Sequence, residues 1–270
     1  ILLNSTFLQY LIAFCFSFPS FPLPFFSKMT TTGSEEQVIL VALGGASSSG
    51  KTTVAKALKL LIPSSVLIHL DDFYFTDSDI PIDPETGYQN WDCPEAIDFD
   101  RFRECLQNIR KGVFTSINSI EPSEADLKLL KQEETHFAKE IEDKSHKFGK
   151  KRIVFVDGFM LFHDPSIIKL FDIKLFFHAP FDTLKSRREA RKGYTTAEGF
   201  WVDPPNYFSK IVWPAYVKSH AYLYQGEKVD SNELEQSIVE KYDLVDVDNN
   251  DSTSLYALVE TSLSSIINHL

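Results

Sequence analysis

The sequence predicts an α/β fold in which five parallel strands form one sheet with helices on both faces. Three observations carry that expectation. Short apolar runs alternate with helical segments from Gln37 onward, the pattern of a parallel sheet whose two sides are both covered. The first run, Val38-Ile39-Leu40-Val41-Ala42-Leu43, leads directly into Gly45-Ala46-Ser47-Ser48-Ser49-Gly50-Lys51-Thr52, which fits the phosphate-binding pattern GxxxxGK[ST] between a strand and a helix. Three strand ends carry aspartate, and ligands of such sheets gather beyond the carboxyl ends of the strands.

Each element follows in order. Glycines at both ends of the loop let its backbone curl so that successive N–H groups converge on a phosphate, and the helix expected over 51–62 adds its positive end. Lys51 would then reach the outer phosphates, the Thr52 hydroxyl would ligate Mg²⁺, and Thr53 completes the loop. An ordinary Gly/Ser turn is the plainer alternative. The second strand is expected over 66–68, ending at Asp71 and Asp72. The third spans 153–156 and ends at Asp157-Gly158, the fourth spans 173–177, and the fifth spans 244–247. An amphipathic helix over 254–270 closes the chain, with Leu255, Leu258, Val259, Leu263 and Ile266 on one side. Residues 122–151 are charged and weakly periodic, which predicts a helical surface insertion without a core of its own.

Composition narrows the function classes. A net charge of -11 disfavours nucleic acid and anionic membranes as partners. Of the three cysteines, Cys15 precedes the first methionine, Met29, and Cys93 and Cys105 show neither a CxxC pair nor metal-type spacing, so free thiols in a reducing compartment are expected. Residues 1–36 read as a hydrophobic extension, disordered or artefactual, ahead of a single domain over 37–270. The apolar stretch near its start lacks a basic flank for a secretory signal and is broken by Pro19, Pro22 and Pro24, so it does not suit a spanning helix. Because the chain begins with Ile1, a translated upstream segment is expected rather than a targeting peptide. The run Asp246-Val247-Asp248-Asn249-Asn250-Asp251 imitates a calcium loop, but Asp251 replaces the required glycine and Ala257 the closing glutamate, so it reads instead as a strand end and turn near the adenine.

Three features carry chemistry. Asp157 is placed like a strand-end carboxylate that holds the metal's water shell, against the plainer reading of an Asp-Gly turn. Asp71 can accept a hydroxyl proton and touch the same metal shell, against the reading of a helix cap; Asp72 reads as more structural. The cationic run Lys185-Ser186-Arg187-Arg188-Glu189-Ala190-Arg191-Lys192 suits a lid over 185–203 whose arginines offset charge on a transferring phosphoryl group, against a solvated helix face.

Together these residues resemble the nicotinamide riboside kinases, P-loop kinases related to uridine kinase, and the fungal forms in particular. The resemblance rests on the stretches Leu67-Ile68-His69-Leu70-Asp71-Asp72-Phe73-Tyr74, Gln89-Asn90-Trp91-Asp92-Cys93-Pro94-Glu95-Ala96, Val156-Asp157-Gly158-Phe159-Met160 and Arg191-Lys192-Gly193-Tyr194, with Phe200-Trp201-Val202-Asp203-Pro204-Pro205 beyond. It implies a P-loop nucleoside/nucleotide-kinase-like fold with an arginine-bearing lid, ATP and Mg²⁺ as cofactors, and Asp71 as catalytic base beside Lys51. Gly45 through Thr53, with Arg187, Arg191 and Gly193, would bind ATP. Asp71, Asp72, Phe73 and Tyr74 would lie along the nucleoside. Trp91 and Tyr194 would sandwich the pyridine ring, Asp92 and Arg188 would grip the ribose hydroxyls, and Asp203 would stand near the carboxamide. Thr52, Asp71 and Asp157 would surround the metal. The chain departs from animal relatives in carrying Trp91 for Tyr, Asp157 for Glu, and one more lid residue before Tyr194.

A pyridinium ring gains from stacking on electron-rich faces and from nearby carboxylates, which Trp91, Tyr194, Asp92 and Asp203 supply. The expected activity is ATP-dependent phosphorylation of the 5′-hydroxyl of nicotinamide riboside, or also nicotinic acid riboside, by a cytoplasmic or also nuclear protein, a monomer or weak homo-oligomer with small-molecule partners only. Uridine or cytidine kinase is the near alternative. A nucleotide-dependent switch is the distant one, although Asp157-Gly158-Phe159-Met160 lacks the DxxG spacing of a GTPase and no NKxD motif occurs.

Overall fold

In the parallel strand β1, Gln37–Gly45, alternate side chains serve opposite faces of the sheet, and both sets are apolar. Val38, Leu40 and Ala42 enter one core with Val154, Val156, Ile68 and Phe176. Ile39, Val41 and Leu43 enter the other with Ile153, Phe155, Leu67, Leu175 and Phe177. A strand with both faces buried must read as an unbroken apolar run, which is why the first strand was legible. The computed structural model describes residues 36–62, 64–114, 134–195 and 200–270. Residues 1–35 of the extension expected over 1–36, and much of the expected insertion, lie outside the described residues.

The remaining strands are β2 (Val66–His69), β3 (Lys151–Gly158), β4 (Ile173–His178), β5 (Tyr194–Thr195), β6 (Phe200–Trp201) and β7 (Leu244–Asp248). Five of them make one sheet in the order β2-β3-β1-β4-β7, every pairing parallel. The expected five-stranded parallel sheet is thus present, with each strand slightly longer than expected. β5 and β6 form a separate antiparallel hairpin within the segment expected to be a lid.

Helices α1 (Lys51–Leu61), α2 (Phe99–Arg110), α3 (Glu134–Asp143), α4 (Phe181–Glu189), α5 (Trp213–His220), α6 (Gln236–Tyr242) and α7 (Leu255–His269) cover the sheet and its edges. The amphipathic α7 begins one residue later than expected, because the Ser254 hydroxyl accepts the Ala257 N–H at 3.1 Å and caps it. α1 and α7 cover one face through Val54, Leu58, Val259, Leu263 and Ile266; α2 covers the other through Phe102, Leu106 and Ile109. The described part of the insertion differs from a purely surface helix. Phe137 of α3 is fully buried and stacks on Tyr256 of α7 with ring centroids 5.0 Å apart. Burying one phenyl group contributes roughly 1.5–3 kcal/mol, enough to pin a charged helix to the main core.

The topology fixes where a ligand can go. From β1 the chain runs to one side of the sheet through β2 and β3, then crosses to the other side at β4. The strand order therefore reverses at β1, and the crevice beyond its carboxyl end opens where the two halves diverge.

Candidate active site at the carboxyl edge of the sheet

The loop after β1 sits in that crevice and owes its shape to two glycines. Gly45 has φ 127° and Gly50 φ 95°. A methyl group at Gly45 would collide with the Phe177 carbonyl, and one at Gly50 would meet the Asn249 side-chain amide, so close packing as well as conformation demands glycine at both. The loop is tied down by the Ala46 N–H donating to Phe177 O at 3.2 Å and by Asn249 Nδ2 donating to Ser49 O at 2.8 Å. Asn249 lies in the stretch that imitated a calcium loop. Here that stretch is a strand end and turn that braces the phosphate loop.

Lys51 opens α1 and is buried, its Nζ donating to the Ala46 carbonyl at 2.8 Å. Burial lowers its pKa to about 8, with Arg191 and Arg188 pushing the same way against Asp157 and Asp71. Thr52 and Thr53 face outward. The Thr52 hydroxyl donates to Asp157 Oδ2 at 2.5 Å, and His69 Nδ1 contacts the same oxygen at 2.8 Å. Burial alone would raise the Asp157 pKa, but the His69 hydrogen bond, the Lys51 charge and the Thr52 hydroxyl outweigh it and hold the carboxylate below its ordinary range. The counterpart shift is upward: burial works against a charged His69, and its bond to Asp157 together with Asp71 and Asp72 prevails.

Asp71 and Asp72 lie in a single 3₁₀ turn, Leu70–Phe73, just beyond β2. Crowding by the protein raises Asp71 to about 6, helped by Asp157 and Asp92 and opposed by His69 and Lys51. Its carboxyl nevertheless opens onto solvent in the cleft, so water tempers the rise and its upward direction is what the surroundings fix. Asp72 is exposed. Phe73 differs from the expectation of a nucleoside contact: it is a core residue, packed edge-on against Phe102 with centroids 5.2 Å apart. The turn that presents Asp71 outward directs the next apolar side chain inward.

Arg188 of α4 ties the two sides of the cleft together. It is 7% exposed and makes a bidentate pair with Asp203, at 2.6 Å from Nε and 3.1 Å from Nη2. Nη1 donates to Ser47 Oγ of the phosphate loop at 2.7 Å, while Asp92 lies further off at 3.4 and 3.5 Å. Asp203 was expected beside a carboxamide; instead its oxygens are taken by Arg188 and by Trp201 Nε1 at 2.9 Å. A buried guanidinium recruits the carboxylates within reach, since an unpaired buried charge is costly. Burial raises Asp92, with Asp203 adding to the rise and Arg188 opposing it.

Trp91 also differs from an open stacking face. It is 7% exposed, with Tyr74 edge-on at 5.2 Å and Trp201 tilted against it at 5.9 Å. The expected partner Tyr194 has its side chain outside the described residues, and Trp201 of the hairpin is the aromatic found beside Trp91. Gly193 has φ 141°, and any side chain there would strike Phe200 and the Trp201 carbonyl. Arg187 Nη1 donates to Asn249 O at 3.1 Å and Nη2 pairs with Asp251 at 3.5 Å. Arg191 is exposed but close enough for its charge to act on Lys51 and Asp92.

The sequence reading therefore missed His69, Trp201 and Asn249. The first had a usable signal, a polar residue ending a buried strand beside other strand-end acids. The other two depend on tertiary contacts that no local pattern announces.

The donor set suits a hard divalent cation. Asp157 Oδ1 is buried without a hydrogen-bond partner, as are the Ser48 and Ser49 hydroxyls. No group of three or more His, Cys, Asp or Glu that could hold a metal occurs among the described residues, and Mg²⁺ does not need one, because it keeps waters and takes much of its shell from phosphates.

A curled glycine loop whose lysine is enclosed by strand-end acids, at the reversal point of a parallel sheet, defines a P-loop phosphotransferase. The phosphoribulokinase / uridine kinase family matches residues 40–195. The nicotinamide riboside kinase of Schizosaccharomyces pombe is 42% identical over 195 residues, covering 72% of this chain and 84% of that protein. That of Saccharomyces cerevisiae is 41% identical over 194 residues, covering 70% and 80%, and that of Eremothecium gossypii 35% over 224 residues, covering 83% and 90%. The chain belongs to the phosphoribulokinase / uridine kinase family and, within it, stands with the nicotinamide riboside kinases.

Proposed function

We propose that this protein transfers the γ-phosphoryl group of ATP to the 5′-hydroxyl of nicotinamide riboside, giving nicotinamide mononucleotide and ADP and so feeding NAD synthesis. The observation that carries the reading is the place of Arg188: its Nη1 donates to Ser47 Oγ of the phosphate loop at 2.7 Å and lies 3.4 Å from Asp92 Oδ1, so one guanidinium joins the loop to the acids across the cleft. Acids that would face an alcohol and cations that would face a triphosphate thus act on one another within a single cleft.

In this reading residues 45–53 cradle the phosphates, and Lys51 exchanges its bond to the Ala46 carbonyl for the β- and γ-oxygens. Arg187, Arg191 and Gly193 serve the nucleotide side. When bound, Mg²⁺ would offset the negative charge of the reacting phosphates; Thr52, Asp157 and the neighbouring Asp71 are the residues that would hold it or its waters. Asp71 orients the 5′-hydroxyl and takes its proton as the oxygen bonds to phosphorus and the bond to the ADP oxygen breaks. Asp92 and Arg188 face the ribose diol. Trp91 and Tyr194 take the pyridinium ring, with Trp201 moving from Trp91 to admit it, and Tyr74 lines the approach. Asp203 serves through Arg188. Asp72 and Phe73 shape the turn that presents Asp71.

No helix among the described residues is long and apolar enough to cross a membrane. The reading is of a cytoplasmic, or also nuclear, monomer or weak homo-oligomer acting on small molecules, with no nucleic-acid or membrane partner. The test is a panel of initial rates with nicotinamide riboside, nicotinic acid riboside, uridine and cytidine, products identified by mass spectrometry. The expected outcome is mononucleotide formation from the pyridine ribosides at far higher kcat/KM than from the pyrimidines. Preferred turnover of uridine would overturn the substrate assignment, and ATP turnover independent of any nucleoside would overturn the kinase assignment.

A further inference from the structure

We infer that His69 is a positioning residue that anchors the Asp157 carboxylate for the metal-bound nucleotide; this rests on the placing of Asp157 at the metal's water shell proposed above. The contact originates in the sheet. β2 and β3 run parallel with His69 directly beside Asp157 in register, so the last residue of one strand presents its ring to the carboxylate of the next. Nδ1 lies 2.8 Å from Asp157 Oδ2, and Asp157 is only 4% exposed.

The two oxygens of this carboxylate are treated unequally. Oδ2 takes both His69 Nδ1 and the Thr52 hydroxyl, at 2.8 and 2.5 Å, while Oδ1 is buried with no partner. An unsatisfied buried carboxylate oxygen is costly unless something else completes it, and the pattern leaves one oxygen available to a ligand by saturating the other. The two donors also differ in kind. Thr52 stands in the first turn of α1, directly after the phosphate loop, and its hydroxyl rotates about a single bond. The backbone of His69 is fixed by the ladder of the sheet, so its ring is offered to Asp157 from a position set outside the phosphate loop. Neighbours of this sort commonly set metal affinity without touching the metal.

The test measures metal binding without turnover. Mn²⁺ affinity of the ADP complex is followed by electron paramagnetic resonance in the wild type, His69→Leu, His69→Asn and Asp157→Asn, with a thermal melt of each. Leucine keeps much of the volume and loses the donor, whereas the asparagine amide places a donor near the Nδ1 position. His69→Leu is expected to weaken Mn²⁺ by on the order of tenfold, and His69→Asn to recover most of that loss, with nicotinamide riboside binding in the absence of metal unchanged. If His69→Leu does not fold, His69→Gln, whose amide lies too far out to replace Nδ1, is measured in its place with the same expectation. Loss of affinity without recovery in His69→Asn would overturn the proposal, as would unchanged affinity in His69→Leu while Asp157→Asn is weakened. Unchanged affinity in both would overturn the placing of Asp157 first and this inference with it. None of these outcomes bears on the nucleoside panel, so the substrate reading stands or falls separately.

Discussion

Lys51 and Asp71 have their pKa values drawn toward each other across neutrality, and each shift has an identifiable cause. Burial and neighbouring arginines bring the lysine down to about 8, while crowding and neighbouring acids bring the aspartic acid up to about 6. In the proposed mechanism the active form of the free enzyme has Lys51 protonated, to meet phosphate charge, and Asp71 deprotonated, to accept the hydroxyl proton. It follows that kcat/KM falls on the acid side as Asp71 gains its proton and on the alkaline side as Lys51 loses its own. A pH profile of kcat/KM checks this: the expected curve is a bell whose acid limb lies above the ordinary carboxylate range and whose alkaline limb lies near pH 8, the alkaline limb moving upward in Lys51→Arg. A curve flat from about pH 5 to about pH 9 would contradict these roles. At this scale Asp71, Asp157 and Lys51 were legible in the sequence because each ends a strand or sits in a motif of fixed spacing. The pairing of Asp203 with Arg188 was not, since it depends on how a hairpin after α4 folds back over the cleft.

Among the elements, the phosphate loop is held from β7 as much as from β1. Asn249 follows β7, receives a position through its N–H to the His178 carbonyl at 2.9 Å, and donates its side chain to Ser49 O. Two hundred residues of sequence separate the partners, so the bond couples the last strand to the first loop. Asn249→Ala is expected to destabilise the protein by about 1–3 kcal/mol, because it strands a buried carbonyl, and to raise the KM for ATP more than that for the riboside. Thermal melts and initial rates with each substrate varied check both parts; an unchanged KM for ATP would reduce Asn249 to a packing role. The strands themselves were readable because burial on two faces imposes unbroken apolar runs. The place of α3 was not, since its hydrophobic content rests largely on Phe137 and Ile141, too few residues to announce a core-facing helix.

For the whole molecule, the sheet order explains why residues from 45 to 203 meet at one edge. Three strands deliver the loop at Gly45, the acids at Asp71 and the carboxylate at Asp157 to the same side, and α4 brings Arg188 across from β4. The sequence could announce that strand ends carry the chemistry, but not which ends are neighbours, and the adjacency of β2 with β3 is what joins His69 to Asp157. The aromatic wall was the least readable part, because Trp91 in the sequence does not say whether its ring is open or covered by Trp201. In the proposed mechanism Asp71 faces the attacking alcohol in the cleft that holds ATP. The most direct measurement is nicotinamide riboside turnover by Asp71→Ala with ATP affinity determined on the same sample. A loss of about 10² to 10⁴-fold in kcat with ATP binding retained is expected; near-wild-type turnover would remove Asp71 from that role.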